Sequence, residues 1–96
     1  MTTSAAQTDV VTTAQSSTSS VTRTAPIPAP YVVDVDITGA GVTLVINQRN
    51  TTTGAWKQIA SITADDLVVV NQTALQTQFS WTITSGTLDA VTIIKT

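Results

Sequence analysis

The side chains that could do chemistry in this chain are six aspartates and a large stock of Ser and Thr hydroxyls, for the sequence contains no His, no Cys and no Glu. Those absences remove most general acid–base pairs, thiol nucleophiles and zinc sites in one step. A hydroxyl with no base to take its proton is a strand or loop residue rather than a nucleophile. No catalytic residue, cofactor-binding residue or metal ligand is therefore assigned, and the chain is read as non-enzymatic. Asp34 and Asp36 stand two apart and so share one strand face. There they could meet Asp65 or Asp66 in an all-oxygen calcium site. No Asp-rich loop with Gly accompanies them, so the expectation is solvated acids on an outer face, with Lys57 or Arg49 as cross-strand partners of little worth if exposed. Trp56, Trp81 and Tyr31 could present a platform for sugar rings. Alternation of Phe79 and Trp81 with Ser80 and Thr82 places those two in the core instead, leaving Trp56 beside Lys57, Gln58 and the loop at 50–54. Asn50-Thr51-Thr52 and Asn71-Gln72-Thr73 fit the glycosylation pattern, as chance provides in a Thr-rich chain.

The elements that must position these residues are all strands. Residues 31–38 alternate, with Tyr31, Val33, Val35 and Ile37 on one face and Asp34, Asp36 and Thr38 on the other. Gly39-Ala40-Gly41 turns the chain, and Val42, Leu44 and Ile46 form the inner face of a second strand ending near Arg49. A polar loop closed by Gly54 leads to a third strand at about 55–62. There the spacing of Trp56, Ile59 and Ile62 breaks period two, which predicts a bulge or a switch between sheets. Leu67 to Val70 reads as a short strand apolar on both faces. The stretch 71–78 reads as polar and weakly structured with Leu75 as a plug, and strands from Phe79 and from Leu88 to Lys95 complete the set. About six short strands with no helical period predict an all-β fold, a small antiparallel β-sandwich or open barrel.

Charged residues make up 10% of the 96 residues, against roughly 25% in an ordinary soluble domain, and the net charge is −2. A surface so poor in charge is suited to being covered by other protein. The basic residues, Arg23, Arg49, Lys57 and Lys95, are scattered along the sequence and offer no phosphate-neutralising patch, so no nucleic-acid partner is expected. No leader is expected behind Met1, and the longest apolar runs are too short to cross a bilayer, so no membrane partner is expected either. Without disulfides or a metal, a core drawn only from residues 31–96 needs oligomeric contacts for support.

Residues 1–30 are almost all Thr, Ser, Ala and Gln, with Asp9 and Arg23 as the only charges, and they end in Ala25-Pro26-Ile27-Pro28-Ala29-Pro30. Such a segment is expected to bury too little apolar surface to order itself. It reads as an extended arm that lies on a neighbouring subunit, anchored by Val10, Val11, Val21 and Ile27 and stiffened by Pro26, Pro28 and Pro30.

From Gly41 to Lys95, a Val-rich strand is followed by a Gly-ended hairpin with Trp56 ahead of Ile59 and by a Thr-Ala-Asp turn. Phe79-Ser80-Trp81, a Ser-Gly-Thr turn and a terminal Val-Thr-Ile-Ile complete an order that resembles the small β-sandwich modules of tailed-bacteriophage virion proteins. The resemblance implies a structural part of a capsid, neck, tail or fibre, such as a decoration protein, located in the virion. Its implied partners are other virion proteins and copies of itself, reached through the arm. The alternative expectation is a carbohydrate- or cell-surface-binding module presenting Trp56, and a third is a self-assembling fibre or pilus-like subunit.

Overall fold

The computed structural model describes residues 7–95, and the first six residues of the expected arm lie outside that range. Eight strands follow one another without a helix: β1 (Gln7–Val11), β2 (Ser19–Arg23), β3 (Tyr31–Thr38), β4 (Val42–Arg49), β5 (Lys57–Ile62), β6 (Asp66–Val70), β7 (Gln76–Ile83) and β8 (Thr87–Lys95). They form two four-stranded antiparallel sheets, ordered β1-β8-β3-β6 and β2-β7-β4-β5. Strands pair first with last: β1 with β8, β2 with β7, β3 with β6 and β4 with β5. The chain is thus one long antiparallel ribbon wrapped into two layers, the topology of a jelly roll.

The expected all-β sandwich is present with two strands more than the sequence reading assigned. Both come from the segment read as an arm, where β1 pairs with β8 and β2 with β7. Val11 lies in the core at 5% exposure, and Val10, Val21 and Ile27 pack against it. Pro26, Pro28 and Pro30 run along the exposed link from β2 to β3. The anchors expected to grip a neighbour therefore grip their own sandwich. The reason is that β7 and β8 would otherwise each present an open edge, and Thr-rich backbone satisfies such an edge well.

Inward residues alternate as the sequence suggests. Tyr31, Val33 and Val35 of β3, Val42, Leu44 and Ile46 of β4, Phe79 and Trp81 of β7, and Leu88, Val91 and Ile93 of β8 meet between the sheets. The broken period in the third strand is a bulge, because Ile46 pairs with Ala60 and Asn47 with Gln58, which leaves Ile59 without an opposite. Residues 71–78 are more ordered than expected: β7 begins at Gln76, Gln76 and Thr77 are buried, and Ala74 fills the place assigned to Leu75, which is 37% exposed. In β6 only the inner half is covered, since Leu67 and Val69 are 64% and 59% exposed.

Gly39 and Gly86 occupy the left-handed region at φ of 90° and 82°, in two turns that touch at one end of the sandwich. A Cβ on Gly86 would strike the carbonyl oxygen of Thr38. Gly86→Ala is therefore expected to lower stability by more than about 1 kcal/mol, measured as a shift in the urea midpoint.

Candidate functional site

Strand direction sorts the charged residues. The turns after β3, β5 and β7 lie at one end of the sandwich, and the links after β2, β4 and β6 lie at the other. The first end carries Asp65 and Asp66 in and after the β5–β6 turn, Asp89 near the start of β8 and Asp36 near the end of β3. A register shift between Asp36 and Ile37 leaves Asp89 as the bulged residue of β8. Its carboxylate accepts hydrogen bonds from Thr38 Oγ1 and from Thr87 Oγ1, the latter at 2.7 Å. Those two bonds hold it below the usual carboxylate range. Asp65 Oδ1 accepts the Ile37 backbone N–H at 2.7 Å.

Asp36 has the opposite bias. The Asp34 carboxylate beside it raises its proton affinity first, some loss of solvent adds to this, and Asp65 and Asp89 act in the same direction. Because the folded chain holds this proton more tightly than the unfolded one, the contribution of Asp36 to stability is greatest in acid and is lost as pH rises through its folded pKa. Asp36→Asn is accordingly expected to melt above the parent at pH 7, with the advantage shrinking toward pH 3, in parallel thermal scans. Among the described residues no group of three or more carboxylates converges as a metal site would require. Asp34 and Asp36 do not pair with Lys57 or Arg49, which the topology places in the other sheet and at the opposite end.

That opposite end holds a cleft of about 430 Å³ between the β4–β5 and β6–β7 loops. Gln48, Arg49, Asn50, Lys57, Gln72 and Thr73 supply its polar wall, and no carboxylate lines it. Arg49 is fixed there three ways. Its Nε donates to Gln76 Oε1 at 2.8 Å, its Nη1 donates to the Gly54 carbonyl at 3.1 Å, and its guanidinium carbon stands 4.0 Å from the Trp56 ring centroid. The loops are tied by their own polar groups: Asn50 Oδ1 accepts the Leu75 N–H at 3.0 Å, Gln48 Nε2 donates to the Gln72 carbonyl at 3.1 Å, and Thr51 Oγ1 accepts the Gly54 N–H at 2.7 Å. Beneath them Tyr31 is buried, with Thr77 and Gln48 against its hydroxyl; burial raises its pKa, and those two contacts work the other way.

The three aromatics expected as an alternative sugar platform are not brought together. Tyr31 and Trp81 are core residues, at 1% and 3% exposure. Trp56 is half-buried, has one ring face under Arg49 and does not line the cleft. The basic residues, by contrast, are grouped where the sequence scattered them. Arg23 ends β2, Arg49 ends β4, Lys57 begins β5 and Lys95 ends β8, all at the cleft end. Only strand direction reveals this, since the four positions lie far apart in the chain.

The outer face of the β1-β8-β3-β6 sheet is apolar in part: Val69, Val32 and Ile94 form a row across three strands, and Leu67 lies beside Asp34 in the next. The outer face of the other sheet carries Thr43, Asn47, Gln78, Ser80 and Thr82. No helix among the described residues is long and apolar enough to cross a membrane. Compared with protein families, with curated proteins and with solved structures, the chain matches none of them.

Proposed function

We propose that the chain is a non-enzymatic structural subunit of a virion, in which the jelly roll contacts other copies and other virion proteins through surfaces of the sandwich. The observation that supports this reading is the uncovered edge strand β6. Its outward residues Leu67 and Val69 are largely exposed and continue into Val32 and Ile94 on the neighbouring strands. Free proteins blunt such edges with charge or proline, and here the only charge in the strand is Asp66 at its start. Jelly rolls serve viral capsids and lectins alike, so the fold adds an analogy and no more. The binding-module alternative draws less support, because Arg49 occupies a ring face of Trp56 that a sugar would need.

In this reading attachment runs through surfaces of the sandwich, supported by the pairing of β1 and β2 within the two sheets. The test is to follow the chain by antibody across a density gradient of the particles its host releases. Co-sedimentation at fixed stoichiometry is the expected result, with loss from the particle band in a folded Leu67→Lys/Val69→Lys variant. Recovery of the unaltered chain only in the soluble fraction would overturn the proposal.

A further inference from the structure

The segregation of charge described above is complete for the basic residues. All four lie at the cleft end, four of the six aspartates lie at the other end, and the remaining two, Asp9 and Asp34, sit mid-strand. An eight-residue strand separates the ends by about 27 Å. The screening length at physiological salt is about 8 Å, so the two ends cannot neutralise one another within a chain. Each must be met by solvent ions or by another molecule.

We propose that copies of this chain associate head to tail, the Arg49–Lys57 end of one seated on the Asp36–Asp65–Asp66–Asp89 end of the next. The inference takes from the assembly reading its choice of a second copy as occupant, and charge complementarity supplies the rest. Part of the charge on each side is already held in place. Arg49 is locked by Gln76, Gly54 and Trp56, while Asp65 and Asp89 are locked by Ile37, Thr38 and Thr87, so little side-chain freedom remains to be lost on contact. The aspartates also repel one another, as the raised proton affinity of Asp36 records, and an arriving cation relieves that repulsion. Because the two surfaces differ, the contact is heterologous and continues into a ring or a filament rather than stopping at a dimer.

Sedimentation velocity on the full chain tests this. At about 0.01 M salt, where screening reaches ~30 Å, species larger than a dimer are expected, and at about 1 M, where it reaches ~3 Å, monomer. Asp36→Lys/Asp66→Lys blocks one end, and Lys57→Glu/Gln72→Glu blocks the other without touching Arg49. Each variant alone should be monomeric and should still melt cooperatively by circular dichroism, the Asp36→Lys/Asp66→Lys chain above the parent at pH 7 because the repulsion at Asp36 is gone. Mixed one to one they should associate again, the intact basic end of one meeting the intact acidic end of the other. Should a lysine variant fail to fold, Asp36→Asn/Asp66→Asn is expected to shift the wild-type association to lower salt. A wild type monomeric at low salt, or folded variants whose mixture stays monomeric, overturns the head-to-tail contact. Association that survives 1 M salt and is lost in Leu67→Lys/Val69→Lys also overturns it, yet leaves the assembly reading standing. Salt-dependent stacking by a chain absent from particles has the reverse meaning.

Discussion

A chain lacking residues 1–25 is expected to lose its native fold, giving no cooperative thermal transition and no near-ultraviolet tryptophan signal. The deletion removes β1 and β2, leaving β8 and β7 as open edges, and each sheet falls from four strands to three. Val11 is withdrawn from the core, at about 1.5–3 kcal/mol for a buried side chain of that kind. Trp81 Nε1 loses the Ser17 carbonyl that it meets at 3.0 Å, and the Ile83 N–H loses Thr18 Oγ1. The Gln15–Leu88 bridge, bonded in both directions, also goes. Each such bond exchanged for one to water costs about 0.5–1.5 kcal/mol, and a domain of this size has only about 5–15 kcal/mol in total. The freed β8 edge then offers Val91, Ile93 and Ile94 to other chains, so aggregation accompanies unfolding. A truncated protein that stays monomeric and melts cooperatively would restore the picture of a detachable arm.

That contrast shows what could and could not be read from the sequence. β3 and β4 were legible to the residue because each buries one face along eight residues, and period two is strongest where one side is core. β2 buries only Val21 appreciably among its apolar residues, and β1 carries Val10 and Val11 side by side. A register shift between Asp9 and Val11 skips Val10 and turns Val11 inward, so the local pattern does not alternate. The partner of β1 lies at the far end of the chain, with Gln7 opposite Ile94, and no nearby residue announces such a pairing. The charge groups were hidden for the same reason. Arg23, Arg49, Lys57 and Lys95 come to one end of the sandwich only once the ribbon is wrapped, because alternate strands run in opposite directions.

Trp81→Ala is expected to cost about 3–5 kcal/mol in urea denaturation, enough to leave much of the population unfolded at 37 °C. The side chain is 3% exposed, lies on the inner face of β7 opposite Leu44 and closes the core beneath the 12–18 loop through its bond to Ser17. Trp81→Phe should cost less, since an aromatic ring remains and the exposed Ser17 carbonyl can turn to water. Trp56→Ala removes the stack with Arg49 at a half-buried site, worth about 0.5–1 kcal/mol beyond lost packing, and should leave the fold intact. The two tryptophans therefore separate core from rim: near-ultraviolet dichroism should vanish in the first variant and persist in the second. Equal costs for Trp81→Ala and Trp56→Ala would mean that the N-terminal strands do not seal the sandwich in solution. The expectation for the deletion of residues 1–25 would then fall with it.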